Sequence, residues 1–317
     1  MFDIHLFMLA LINRGRGSGW YAEYLQKSLQ VGVMQKGKLT VPDIIAMKKA
    51  GEKITMLTAY DVSFARMLDG AGIEMILVGD SLGMVVLGYE STVPVTMEEM
   101  LHHCRAVSRG VDKALLVGDM PFLSYQTSGY DAIVNAGRFI KEAGCDAVKL
   151  EGGIEVCATV KAMIGAGISV MGHIGLTPQT AGNLGGYKVQ GQDLDSARKI
   201  LESARALEAA GVFAVVLECI PDKLAALISE ELAIPTIGIG AGVDCDGQVL
   251  VTHDMLGMFE KFVPKFVKSY INLAPQIREA FASYKSEVKN GSYPDAEHSF
   301  AMQVDIDDLV GDRGDKK

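Results

Sequence analysis

Six residues that can do chemistry stand at or near the ends of apolar runs in this chain. They are Asp80 after MILVG, Asp119 after ALLVG, Lys149 and Glu151 in AVKLEG, His173 in ISVMGHI and Glu218 in AVVLEC. An ionised carboxylate taken out of water is costly unless something compensates it, and several carboxylates crowded together need a cation. Asp and Glu oxygens with no cysteine and little histidine suit a hard ion such as Mg²⁺, which takes one or two carboxylates and keeps positions open for water and substrate. Asp80 and Asp119 are the leading ligand candidates. Both close an LVGD sequence, at 77–80 and 116–119, and neither has an obvious local partner. Lys149 offers a positive charge to a substrate carboxylate or enolate, and a carboxylate elsewhere in the set could act as a general base. The constellation fits enolisation of a 2-oxo acid, with a cation and a lysine stabilising the developing negative charge while a base removes the neighbouring proton.

These residues need a scaffold that gathers strand ends. Three stretches share one pattern: ARMLDGAGIEMILVGD at 65–80, GRFIKEAGCDAVKLEG at 137–152 and ARALEAAGVFAVVLEC at 204–219. Each reads as a helix end, a glycine, a short turn, a β-rich run and an acid. Gly72, Gly144 and Gly211 suit the position just past a helix, where the backbone turns left-handed. Further apolar runs lie at 54–60 (ITMLTAY), 114–121 (ALLVGDMP), 168–174 (ISVMGHI), 235–241 (PTIGIGA) and 249–255 (VLVTHDM). Thr96 with Glu99 forms a capping box that starts one helix. Thr177 before Pro178 reads as the start of another. About eight strands with intervening helices predict an α/β fold of the (β/α)8 TIM-barrel type. An open doubly wound sheet is the competitor, but its glycine-rich turn is missing after the first run, which ends in TAYD.

In such a barrel the C-terminal strand ends form the mouth where active sites sit. The residues there are Tyr60 and Asp61, Asp80 and Ser81, Asp119, Lys149 and Glu151, His173, Glu218 and the glycines of GIGAG. Lys149 and Glu151, two apart, share one face of their strand. Each has a plain structural alternative. A lone Asp at a strand end is commonly an N-cap, His173 could be a satisfied structural histidine, Tyr60 could simply pack, and IGIGAG could be a tight turn rather than a phosphate cradle. His102 and His103 read as a helix surface. The chemical reading rests on the joint occurrence at successive strand ends.

The totals set outer limits. The chain has 317 residues and 49% hydrophobic content, enough for one large core. A net charge of −9 without a basic stripe speaks against a nucleic-acid partner. The five cysteines form no CxxC pair and no zinc pattern, which fits reduced thiols in a cytoplasmic protein. The apolar run FDIHLFMLALI at 2–12 is too short to span a bilayer and has no preceding Lys or Arg, so no membrane role is expected. Residues 1–33 read as an appended or disordered extension, with Met34 as an alternative start. Residues 34–300 read as the catalytic barrel, and 301–317 as an acidic, mobile tail.

A set of ordered stretches runs from about Thr40 to Phe300: TAYDVSFARMLDGAG, LVGDSLGMVVLGYESTVPVTMEEM, DMPFLSY, VKLEGG, GHIGLTPQT, GGYKVQG, LECIP, IPTIGIGAG, DGQVLVTHDMLG and YPDAEHSF. In this order they resemble the ketopantoate hydroxymethyltransferase family. The resemblance implies a (β/α)8 barrel of the phosphoenolpyruvate/pyruvate type, assembled as a homo-oligomer, a decamer. It implies transfer of a hydroxymethyl group from 5,10-methylenetetrahydrofolate to 3-methyl-2-oxobutanoate, with Mg²⁺ bound, giving 2-dehydropantoate in pantothenate synthesis. Carried over residue by residue, Asp80 and Asp119 match the metal-binding aspartates, and Asp80, Ser81 and Asp119 match contacts to the oxo acid. Lys149 matches the substrate-holding lysine, Glu151 the acid that completes the metal shell through water, Glu218 the general base and His173 a histidine lining the pocket. One alternative is a Mg²⁺-dependent 2-oxo acid lyase of the same barrel group, although the lid-loop cysteine of a KKCGH-type stretch is not in this sequence. The other is a barrel that binds a small ligand without turning it over.

Overall fold

The computed structural model describes residues 37–303, apart from 183, 184, 260 and 262, together with Ile306. The extension expected at 1–33, and most of the tail expected at 301–317, lie outside the described residues.

Eight parallel strands close a barrel in chain order. Helix α1 (Val41–Ala50) precedes β1 (Ile54–Thr58), α2 (Val62–Gly70) and β2 (Met75–Val78). A short α3 (Leu82–Val85) and α4 (Met97–Ser108) lead to β3 (Leu115–Asp119), α5 (Gly129–Lys141), β4 (Ala147–Glu151), α6 (Cys157–Gly165) and β5 (Val170–Gly175). Then come α7 (Leu194–Ala210), β6 (Ala214–Glu218), α8 (Asp222–Glu231), β7 (Thr236–Ile239), β8 (Gly247–Leu250), α9 (Thr252–Met255) and α10 (Leu273–Asn290). Among the described residues, no helix is long and apolar enough to cross a membrane.

Local signals place many of these boundaries. Gly72, Gly144 and Gly211 adopt φ of +80°, +73° and +100°, as their positions behind helices require. At the start of α4, the Thr96 hydroxyl accepts from the Glu99 N–H at 3.2 Å and the Glu99 carboxylate accepts from the Thr96 N–H at 2.7 Å. Two expectations need correction. Thr177-Pro178 opens only a 3-10 turn, Pro178–Thr180, because Thr177 bonds to the Thr180 hydroxyl instead of capping a helix. The glycine-rich stretch that follows cannot sustain a helix, and α7 begins at Leu194, with Asp193 accepting from the Asp195 and Ser196 N–H groups. The run at 249–255 is not one strand: β8 ends at Leu250 and 252–255 form α9.

The two-residue period of each strand sorts its side chains into two layers. Ile76, Val78, Leu116, Val148, Leu150, Val215 and Leu217 pack in the layer shared with the helices. Met75, Leu77, Leu115, Val117, Ala147, Met171, Ala214 and Val216 fill the barrel interior, joined by Ile44 and Met47 of α1. Helix α1 therefore plugs the N-terminal end, and the Lys48 ammonium pins it by donating to Ser229 O at 2.7 Å and Asp246 Oδ2 at 2.8 Å. Each fully buried large aliphatic in these layers contributes roughly 1.5–3 kcal/mol. Continuing the inward series toward the open end turns it polar: Leu115, Val117, Asp119; Ala147, Lys149, Glu151; Met171, His173; Ala214, Val216, Glu218.

Candidate active site

Strand register brings the polar layer together. Asp119 stands opposite Lys149 across β3 and β4, Glu151 opposite His173 across β4 and β5, and Glu218 opposite Gly175 across β5 and β6. The Lys149 ammonium donates to Asp119 Oδ1 at 2.6 Å. The Asp80 N–H, just past β2, donates to Asp119 Oδ2 at 3.2 Å. The His173 ring lies between two acids, its Nδ1 3.5 Å from Glu151 Oε1 and its Nε2 3.1 Å from Glu218 Oε2. Neither nitrogen makes an aligned hydrogen bond, so these are ion-pair contacts. Asp80, Ser81, Asp119, Lys149, Glu151, His173 and Glu218 all line one cavity of about 370 Å³.

Burial sets the electrostatics. It raises the Asp80 carboxyl, Glu151 raises it further, and Lys149 and Gln179 pull it back in part. Asp119 is pushed up to about 6 by burial, against the opposing pull of Lys149. Burial alone would neutralise Lys149, but Asp119, Glu151 and Asp80 outweigh it and hold the ammonium above its ordinary range. For His173, burial and Lys149 oppose protonation. Glu151 and Glu218 overcome both and raise it to about 9, so the ring is an imidazolium at neutral pH. The LVGD aspartates thus have partners after all, supplied by other strands and loops.

The remaining strand-end residues divide. Asp61 is an N-cap, accepting from the Ser63 and Phe64 N–H groups at 2.7 and 3.0 Å. Tyr60 does more than pack, since its hydroxyl lies 2.9 Å from the Ser81 hydroxyl. His103 is half-buried rather than a surface residue, with Nδ1 2.7 Å from Tyr60 O. The GIGAG glycines form a tight turn: Gly240 makes room for Phe266, Gly242 makes room for Asp222, and Gly242 O accepts from Gln248 Nε2 at 2.8 Å. Backbone strain marks the end of β6, where Cys219, directly after Glu218, holds φ of +49°. Beside it, Gly175 has φ of +96° and a Cβ there would fall 2.2 Å from Glu218 O.

Two buried residues received no role from the sequence reading. Gln179 donates through Nε2 to Asp80 Oδ2 at 2.9 Å, and Tyr125 donates to Gln179 Oε1 at 2.8 Å. Both fall in motif stretches, GHIGLTPQT and DMPFLSY, but only an unusual buried polar pair would have singled them out. Hard oxygen donors on Asp80 and Asp119, both buried and lining the cavity, fit a hard divalent cation. Among the described residues, no three His, Cys, Asp or Glu side chains converge as a metal cluster.

The family model for ketopantoate hydroxymethyltransferase matches residues 38–296. A 3-methyl-2-oxobutanoate hydroxymethyltransferase of Desulfotalea psychrophila is 62% identical over 271 residues, covering 86% of this chain and 97% of the relative. One from Syntrophus aciditrophicus is 61% identical over 263 residues, covering 83% and 97%. The fold is similar to that of phosphoenolpyruvate phosphomutase from Streptomyces platensis subsp. rosaceus, with a TM-score of 0.55 at 16% identity over 86% of this chain and 95% of the other. It is also similar to 2,3-dimethylmalate lyase, a PEP mutase/isocitrate lyase superfamily member, with a TM-score of 0.53 at 12% identity over 82% and 89%. By the match of its barrel from end to end, this chain belongs to the ketopantoate hydroxymethyltransferase family.

Proposed function

We propose that the chain transfers a hydroxymethyl group from 5,10-methylenetetrahydrofolate to 3-methyl-2-oxobutanoate, giving 2-dehydropantoate for pantothenate synthesis. Family membership supports the reaction. The carrying observation is the single cavity in which Asp80, Asp119 and Lys149 face Glu218 and His173. Asp80 and Asp119 would hold Mg²⁺, with Glu151 reaching the ion through water; bound there, the ion supplies Lewis-acid polarisation of the keto oxygen. Lys149 presents a permanent positive charge to the substrate's developing oxyanion, at a buried position where such a charge acts strongly. Ser81 adds a hydroxyl for the oxo acid, itself oriented by Tyr60. Glu218 takes the C3 proton, and its side chain, 15% exposed, is more open than those of Lys149, Asp119 or His173. His173 holds that carboxylate in place as an imidazolium. C3 then bonds to the methylene carbon, both bonds from that carbon to folate nitrogens break, water supplies the hydroxyl, and the C3 proton and one water proton pass to those nitrogens, releasing tetrahydrofolate. Assembly as a homo-oligomer belongs to the same proposal, and α10 leaves Phe281, Tyr284 and Val288 exposed for a second copy to cover.

The test is proton NMR of 3-methyl-2-oxobutanoate in D₂O with the protein and Mg²⁺, before and after adding methylenetetrahydrofolate. The C3 proton signal should disappear without folate, and 2-dehydropantoate should form with it. Glu218→Gln should bind the oxo acid and slow the exchange by about 10²–10⁴-fold, the usual worth of a positioned base. Exchange at the wild-type rate in that variant would remove Glu218 from the role.

A further inference from the structure

Gln179 stands behind the cavity wall, 4% exposed, in the turn Pro178–Thr180. Its Nε2 donates to Asp80 Oδ2 and to Met120 O, both at 2.9 Å. Its backbone N–H donates to Glu151 Oε2 at 3.0 Å. One residue between β5 and α7 thereby bridges an acid at the end of β2 and an acid at the end of β4. We propose that Gln179 is a positioning residue that holds Asp80 and Glu151 relative to each other, with Tyr125 locking its amide; this rests on the reading of those acids as the ion- and substrate-binding pair.

The amide has one workable orientation. Flipped, its oxygen would face Met120 O at 2.9 Å, a carbonyl with no proton to give. Tyr125, 1% exposed, reinforces the choice. Its hydroxyl accepts from the Glu151 N–H at 3.1 Å and has a single proton to give, with Gln179 Oε1 at 2.8 Å and Glu151 O at 3.0 Å as takers. Tyr125 therefore ties the Gln179 amide to the same strand end that carries the Glu151 carboxylate. Simple filling of this space would need no amide, and an apolar side chain would avoid the desolvation that a buried amide costs. Partners that orient a binding carboxylate from behind are typically worth 10–100-fold in metal affinity or activity.

The experiment uses the full chain with Gln179→Met, which keeps volume and removes the amide, and Tyr125→Phe. Calorimetry measures Mg²⁺ alone and then 3-methyl-2-oxobutanoate with Mg²⁺ present; C3 proton exchange and melting temperature are followed in parallel. Gln179→Met should weaken both affinities by about 10–100-fold and slow exchange by a similar factor. Tyr125→Phe should give a smaller loss, and the double variant should lose less than the sum of the two single losses, because Tyr125 acts in part through the same amide. A lower melting temperature with unchanged affinities and exchange would make the amide purely structural and overturn the proposal. Should Gln179→Met fail to fold, wild-type affinities in Tyr125→Phe would overturn it equally. A wild type that binds Mg²⁺ but exchanges no C3 proton sinks the functional reading alone, since the Mg²⁺ affinities of the variants still decide the positioning. A wild type that binds neither ligand overturns both.

Discussion

Replacing Lys149 with Met tests how this site holds its charges. The substitution keeps length and removes the ammonium that sits 2.6 Å from Asp119 Oδ1, with both side chains at most 5% exposed. In the wild type, Asp119 titrates at about 6 although Lys149 pulls it down, so without Lys149 it must titrate higher. The sign follows from linkage. A carboxyl raised in the fold binds more protons folded than unfolded, so stability falls as pH rises from the unfolded value near 4 to the folded one. In the wild type that loss ends near pH 6. In Lys149→Met it continues upward at up to about 1.4 kcal/mol per pH unit. The variant should therefore be nearly as stable as wild type at pH 5 and about 2–3 kcal/mol less stable at pH 8, approaching the usual cost of breaking a buried pair. His173 does not confuse the comparison. It stays protonated in the fold up to about 9, and Lys149 acts only to lower it, so its contribution below pH 8 is common to both proteins. Urea melts from pH 5 to pH 8 in EDTA measure the difference, and Lys149→Met with Asp119→Asn should remove the Asp119 part of it, leaving the part from Asp80, which Lys149 also pulls down. A pH-independent difference, or no rescue by the second substitution, would refute the assignment of an ionised Asp119 compensated by Lys149.

Asp80→Ala should weaken Mg²⁺ and oxo-acid binding together by at least tenfold, read by calorimetry; retention of both would make Asp80 structural. Gly175→Ala should destabilise by at least about 2 kcal/mol in denaturant melts, because the position needs φ of +96° and its Cβ would press on Glu218 O and Ile220. The same variant should slow C3 proton exchange by shifting the Glu218 backbone, and wild-type exchange would show that β6 absorbs the change without moving its acid.

Much of this arrangement is legible along the chain because a barrel repeats one unit. The period-two alternation of each strand identifies the inward face, and the polar residue closing that face marks the open end. That was enough to assemble Asp80, Asp119, Lys149, Glu151, His173 and Glu218 as one set, and the structure places all of them on one cavity. It was not enough to separate Asp61, which has the same strand-end position but spends its carboxylate on capping α2. Nor could Thr177-Pro178 be distinguished from a true helix start, because the glycines that break the helix follow it.

By itself, the sequence determined the strands, their inward faces and the chemical types at their ends, because hydrophobic period and turn chemistry act over neighbouring residues. Pairing was decided by closure of the barrel. Asp119 meets Lys149, and Glu151 meets His173, because inter-strand register sets which ends lie level, and no local pattern encodes it. The same holds for Gln179 reaching Asp80 from 99 residues away. Charge states followed from those meetings. His173 is an imidazolium only because β4 and β6 each bring a glutamate to its ring, and Lys149 keeps its charge in a dry interior only because carboxylates from β2, β3 and its own strand surround it.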